Sequence, residues 1–213
     1  MRTEQLIDRL VADAEPVRPL LSPARRAVLW SVVAGICVTL GVLHFGLRRD
    51  AVEAWYSTGV VLRLVLLAAT TWLAVVTAFR LSVPGEDLRA WSRWWPLALL
   101  GGLVAVVTAE VVMGVIAGEP TSPLRAWRCV RKAAFVGAVP AILAIVLIHR
   151  ANALEPRWTA LLGVLAAGAS GALTSELACP IHAPIHILLW HVLPVAAFAA
   201  VGALLGLLFW ARR

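Results

Sequence analysis

The sequence predicts an all-α integral membrane protein, a six-transmembrane-helix bundle with its N-terminus and C-terminus cytoplasmic. Of its 213 residues, 61% are hydrophobic and 15% are charged, whereas a soluble domain usually carries about 25% charged residues. Six apolar stretches each approach the roughly 20 residues that a helix needs to cross a hydrocarbon core of about 30 Å. Arginine and lysine are divided unequally between alternate loops. Composition and length therefore predict the spans, and the basic residues predict their orientation.

The six predicted spans follow one another closely, and the loops between them leave no room for a separate folded domain. The fourth span carries Arg131 and Lys132 in its first turn, where both side chains can extend outward to the headgroups. Small residues recur every four positions in the fifth span and let helix backbones approach closely. Residues 27–213 are therefore predicted to form one transmembrane domain, with spans at 27–47, 58–79, 94–117, 129–148, 159–178 and 187–210.

The basic residues predict which side of the membrane each loop occupies. With the N-terminus inside, 12 of the 19 basic residues are cytoplasmic. Five of them lie in residues 1–26, three in 80–93, two in 149–158 and two in 211–213. The other side carries the remaining seven. Because the basic residues separate apolar runs, the net charge of +7 indicates anchoring rather than nucleic-acid binding. The polar first residues lack the apolar core of a signal peptide. We therefore expect a multi-pass protein of the bacterial inner membrane.

Residues 1–26 are predicted to form a cytoplasmic tail that contains a short amphipathic helix at about residues 3–14. Its apolar face carries four side chains, those of Leu6, Ile7, Leu10 and Val11. About a dozen residues are marginal as an isolated helix, and such a segment usually becomes ordered by docking into a partner's groove. The alternative is a helix on the membrane surface, although its acidic residues would be repelled by anionic lipid.

Most titratable groups at membrane depth are predicted to collect at the outer pole of the bundle. Two of them, Glu110 and Glu176, are costly in lipid and so must face the bundle interior. Arg63 or Arg131 is the expected partner, and a proton or ion path is the alternative. The possible metal-responsive or proton-responsive groups are these two glutamates together with His182, His186 and His191.

The two outer cysteines, Cys129 and Cys179, allow three interpretations. A structural disulfide suits the oxidising compartment outside the inner membrane. A thiol pair or a soft metal site shared with the histidines would instead act as a switch, and unreactive free thiols are the third possibility. His186 and His191 are five residues apart rather than the four of a helical metal pair, so hydrogen bonding competes with a ligand role.

Three segments resemble the NrsF-type membrane anti-sigma factors, and the likeness covers the whole chain. They are the opening TEQLIDRLVADAEPVRPL, the WRC that contains Cys129, and the later CPIHAPIHILLWHVLP. The resemblance implies that the tail sequesters an ECF-type sigma factor in the cytoplasm. It also implies that Cys129 and Cys179 are the signal-sensing pair, on which heavy metal or oxidant acts to relieve the block. No cofactor is then expected, except a transient heavy-metal ion at Cys129 and Cys179.

The sequence also allows two other function classes, whereas the regulator is not expected to be an enzyme. A small transporter or ion channel would favour several polar residues at mid-bilayer, yet Glu110 is the one acidic residue near that depth. A membrane thiol oxidoreductase would be expected to use a CxxC pair, and the cysteines here are isolated in sequence. The sequence thus favours a non-catalytic regulator of transcription.

Overall fold

A computed structural model describes residues 3–12, 20–83, 92–118 and 127–210, and all regular structure in these ranges is helical. Six of the helices are long and apolar enough to span a membrane, which confirms the predicted six-helix fold. A 3-10 turn, Ser92–Trp94, precedes the third of these six helices, and a π-helical turn, Leu188–Val192, interrupts the last. The helices are α1 (Thr3–Ala12), α2 (Pro23–Phe45), α3 (Ala51–Ala54), α4 (Thr58–Leu81), α5 (Trp95–Ile116), α6 (Trp127–Arg150), α7 (Pro156–Ala178), α8 (Pro184–Ile187) and α9 (Leu193–Trp210).

Helix α7 lies at the centre of the bundle and packs against α2, α4, α6 and α9. Most of its side chains are small and buried, so neighbouring backbones come close enough for dense van der Waals packing. A methyl group added at Gly137 of α6 would lie 2.8 Å from the Ala167 carbonyl oxygen of α7. One added at Gly202 of α9 would lie 2.6 Å from the Ala160 carbonyl oxygen. Glycine is therefore required where α6 and α9 cross α7.

The alternating helices define two ends of the bundle. We call the end that contains Cys129 and Cys179 the thiol pole, and the opposite end, where α2 begins, the tail pole. At the tail pole, Arg26 is almost completely buried and ties three helices together. Its guanidinium donates hydrogen bonds to the Ser82 hydroxyl (3.0 Å) and to the carbonyls of Phe79 (3.2 Å) and Leu147 (3.4 Å). A residue counted as a loop anchor in the sequence is thus part of the core.

The tail helix α1 covers most of the segment predicted to be amphipathic. Ile7 and Val11, one turn apart, are 52% and 69% exposed. The side chains of Leu6 and Leu10 lie outside the described part of the chain, as do residues 13 and 14 of the predicted helix. Helix α2 then begins with Pro23 in its first turn, and the Ser22 hydroxyl accepts a hydrogen bond from the Arg25 amide. This is a capping arrangement that favours a helix start at this point.

Candidate functional site

The thiol pole brings the two outer cysteines together from different helices. Cys129 lies in the first turn of α6, and Cys179 directly follows α7. Their sulfur atoms are 3.6 Å apart, well beyond the roughly 2.05 Å of a disulfide bond, and both are free thiols. The Ser175 hydroxyl donates a hydrogen bond to the Cys129 carbonyl, and the Lys132 ammonium donates one to the Ala178 carbonyl. These bonds fix the start of α6 against the end of α7.

Two histidines complete a buried cluster with the cysteines. The Nε2 atom of His186 lies 3.7 Å from the Cys129 sulfur and 3.5 Å from the Cys179 sulfur. The ring of His191 stands edge-on to that of His186, with 5.4 Å between the centroids. One ligand atom from each of the four residues lies within 4.8 Å of the other three. We call Cys129, Cys179, His186 and His191 the thiol–imidazole cluster.

A π-helical turn explains how residues five apart in sequence meet at one point. In an α-helix, positions three or four apart share a face, so a spacing of five would separate His186 from His191. The π turn Leu188–Val192 widens the helix by one residue per turn and brings i and i+5 into line. Pro194 lies just beyond the turn, and the irregular backbone before it relieves the clash of the proline ring with the preceding turn.

A row of charged side chains leads from the cluster across the bundle. His191 Nδ1 lies 3.0 Å from Glu176 Oε2, and the guanidinium of Arg63 contacts the other oxygen of Glu176 at 2.9 Å. Arg63 also contacts Glu110 at 2.5 Å. Of the two partners predicted for the glutamates, Arg63 binds both, whereas Arg131 is exposed. Buried charges that are paired in this way hold α4, α5, α7 and the π turn in one arrangement.

Comparison with known families identifies the chain. The family described as NrsF, negative regulator of sigma F, matches residues 10–210, nearly the whole length. The chain belongs to the NrsF family. The resemblance seen in the sequence is thereby confirmed, and the family description implies that this protein negatively regulates a sigma factor. Neither a curated protein nor a solved structure matches the chain.

The third histidine of this NrsF protein, His182, is not brought into the cluster. It is half-exposed in the loop after α7, where its ring contacts Arg48 and lies 2.9 Å from Asp50. Partial burial acts to raise the pKa of Asp50, but the hydrogen bonds from Arg48 prevail and hold it below the ordinary value. Sequence reasoning missed this Arg48–Asp50–His182 group, because Arg48 and Asp50 resemble an ordinary polar loop.

The cluster of this NrsF protein is covered by apolar side chains, and its two thiols differ. Ile181 and Trp190 pack against the cysteines, and Trp127 stacks edge-on to Trp190 at 5.5 Å. A hydrogen bond from the Cys129 thiol lowers the pKa of Cys179, and burial opposes the shift. A lowered pKa favours the thiolate, which is the form that attacks oxidants and binds metal. The pair can therefore form a disulfide or bind a soft cation.

Proposed function

We propose that this protein is a membrane anti-sigma factor that holds an ECF-type sigma factor through its N-terminal segment. In this proposal, metal or oxidant acting on Cys129 and Cys179 releases the sigma factor. The observation that carries the proposal is the NrsF match over residues 10–210. The protein acts from the bacterial inner membrane, with both termini in the cytoplasm and the thiol pole on the opposite side. It is a regulator and not an enzyme.

The exposed apolar side chains of α1 support binding through the tail. Ile7 and Val11 project from a helix of only 10 residues, which is too short to be stable by itself in water. The sequence adds Leu6 and Leu10 to the same face. An amphipathic helix of this kind gains order when it lies in an apolar groove, and its anchors then have the spacing of one helical turn. A domain of the sigma factor supplies the groove in this proposal.

The position of the two thiols supports a role in sensing. An oxidant that accepts two electrons converts two thiols into one disulfide and releases two protons, and the sulfur atoms approach from 3.6 Å to about 2.05 Å. Since Cys129 lies in the first turn of α6 and Cys179 directly follows α7, this bond or a shared metal ion pulls two packed helices together. Interfaces between packed helices favour discrete arrangements over gradual deformation.

Helix α2 provides a route from the thiol pole to the tail. It has 23 residues, a length of about 35 Å. Near the thiol pole, a methyl group at its Gly41 would lie 2.6 Å from Val136 of α6 and 3.0 Å from Thr174 of α7. A shift of α6 against α7 therefore displaces α2, whose first turn follows the tail. To change the sigma factor from about 99% bound to about 99% free, the modification or metal must favour the releasing arrangement of the bundle over the holding one by about 5.5 kcal/mol.

The test is capture of an ECF-type sigma factor of the same bacterium, in membranes that contain the full-length chain. We expect capture by the intact protein and loss of capture on deletion of residues 2–22 or in the double variant Leu6→Asp/Leu10→Asp. Glu4→Gln, on the exposed polar part of α1, is the matched control and keeps capture. Cys129→Ser and Cys179→Ser keep capture but no longer release the sigma factor on oxidation. Failure of the intact protein to capture it, in reduced and oxidised membranes alike, refutes the proposal and favours transport, which flux in liposomes would test.

A further inference from the structure

We infer that Cys129, Cys179, His186 and His191 form a four-coordinate binding site for a divalent d10 cation, Zn²⁺ or Cd²⁺. The inference rests on the proposed function and deepens it, because it gives the sensing thiols two imidazole co-ligands and names the class of metal. Two sulfur and two nitrogen donors suit these cations, whereas Mg²⁺ and Ca²⁺ require oxygen ligands.

The spacing of three of the four donor atoms already matches a tetrahedral metal site. With metal–sulfur bonds of about 2.3 Å and metal–nitrogen bonds of about 2.0–2.1 Å, tetrahedral angles place two sulfurs about 3.8 Å apart and a sulfur and a nitrogen about 3.6 Å apart. The Cys129 and Cys179 sulfurs are 3.6 Å apart, and His186 Nε2 lies 3.7 and 3.5 Å from them. Binding of the cation therefore requires only small movements of these three donors, and the fourth ligand atom, on His191, lies within 4.8 Å of each of them.

The hydrogen bond of His191 leaves the correct ring nitrogen available. Its Nδ1 faces the Glu176 carboxylate at 3.0 Å, so the neutral imidazole carries its proton on Nδ1 and keeps the lone pair on Nε2. The ring is 2% exposed, yet its Nε2 finds no hydrogen-bond partner among the residues that the structure describes. A carboxylate that orients a histidine in this way is the usual second shell of a zinc ligand. Arg63 in turn holds the other oxygen of Glu176.

The charge balance also suits a site that is sealed from water. All four ligands are at most 5% exposed. When the two thiols and two imidazoles bind hydrated M²⁺, two sulfur–metal and two nitrogen–metal bonds form, two S–H bonds break, and two protons and the water ligands of the cation leave to the solvent. The resulting centre, with two thiolates, two neutral imidazoles and one dication, has no net charge, which lowers the cost of burial. Four protein ligands leave no open position, which is typical of structural rather than catalytic zinc.

Metal binding and oxidation must exclude each other at this site. Oxidation to a disulfide removes the negative charge of both thiolates, and with it two of the four ligands, whereas a bound cation holds both thiolates away from an oxidant. The thiol–imidazole cluster is therefore a single site at which either a metal ion or an oxidant acts. A bound cation also clamps the start of α6, the end of α7 and the π turn together.

The experiment is a titration of reduced, full-length protein in detergent micelles with Co²⁺, a spectroscopic substitute for Zn²⁺. We expect one Co²⁺ per chain, the intense visible bands of tetrahedral cobalt, a thiolate-to-cobalt charge-transfer band, and loss of all of them on addition of Zn²⁺ or Cd²⁺. Cys129→Ser and Cys179→Ser lose the charge-transfer band in part, and the double variant loses it fully. Glu176→Gln weakens affinity about 10- to 100-fold. Cys37→Ser and His182→Ala, outside the cluster, are matched controls that bind as the wild type does.

Two results overturn the inference. The first is a folded, reduced wild-type protein, monodisperse on gel filtration, that binds none of the three ions at one per chain. The second is unchanged affinity and spectrum in His186→Ala and His191→Ala, because binding then uses the thiols alone. The titration contains no sigma factor, and capture of the sigma factor needs no metal. A chain that binds cobalt but captures no sigma factor refutes the proposed function only, and the reverse pattern refutes the metal site only.

Discussion

The charged row behind the cluster makes a quantitative prediction about stability. Arg63→Met removes the guanidinium that contacts both Glu110 and Glu176 and keeps a side chain of similar length. The side chains of Arg63, Glu176 and Glu110 are 7%, 2% and 25% exposed. After the substitution, Glu176 keeps its contact with His191, but Glu110 loses both of its contacts with Arg63.

The expected cost follows from the burial of each partner. Removal of one member of a buried ion pair costs about 3–5 kcal/mol, because the remaining charge is left without compensation. Glu110 lies six residues before the end of α5, within about 9 Å of the helix end, and it is partly exposed. We therefore expect about 1 kcal/mol for Glu110→Gln, near the value of a surface pair. In the double variant Arg63→Met/Glu110→Gln, the loss in free energy of unfolding is less than the sum of the two single losses. The reason is that Glu110→Gln removes a carboxylate that Arg63→Met left unpaired.

Unfolding in mixed detergent micelles, followed by the loss of helical circular dichroism, measures these differences. Arg93→Met is the control, since its ion pair with Glu155 at 2.8 Å is 26% and 49% exposed and is expected to contribute less than about 1 kcal/mol. An Arg63→Met protein no less stable than the Arg93→Met protein would show that the buried row does not stabilise the bundle.

Two further predictions concern packing and pH. Gly171→Ala should destabilise the protein by about 1–3 kcal/mol, since its methyl group would lie 2.8 Å from the Ala133 carbonyl carbon. Gly101→Ala is the control, because its methyl group would meet nothing within 4 Å. Equal stabilities of the two variants in the same unfolding assay would contradict this packing. The pKa of Asp50 is lowered in the folded protein by Arg48, so its stabilising effect is full above its ordinary pKa of about 3.9 and is lost as pH falls through the lower folded value. The melting temperatures of wild type and Asp50→Asn should therefore differ at pH 6 and converge in acid, and a constant difference down to pH 3 would refute the assignment.

The small residues of α7 connect the stability of the bundle to its proposed role. They place α6 and α9 so close to α7 that the two thiols and the two histidines reach one point. A disulfide or a bound cation at this point changes the distances among elements that are already in contact. We expect that substitutions such as Gly171→Ala also alter the dose of oxidant needed for release of the sigma factor.

The number and the approximate positions of the membrane-spanning helices follow from the amino-acid sequence alone. Hydrophobicity over about 20 residues is a property of each segment alone, because lipid solvates every span in the same way. The opening segment and the motifs around Cys129 and Cys179 together indicated the NrsF family. The sequence further suggested that Glu110 and Glu176 face inward, since a carboxylate exposed to lipid is too costly.

Which of these polar groups contact one another depends on how the helices pack. Arg63 binds both glutamates while Arg131 is exposed, and His182 joins Arg48 and Asp50 instead of the thiols. These outcomes depend on how each helix is rotated about its axis, which the close packing around α7 determines and no single segment encodes. The five-residue spacing of His186 and His191 argued against a shared site for as long as a regular α-helix was assumed. The π turn reverses that conclusion, because one extra residue in a turn places both rings on the same face.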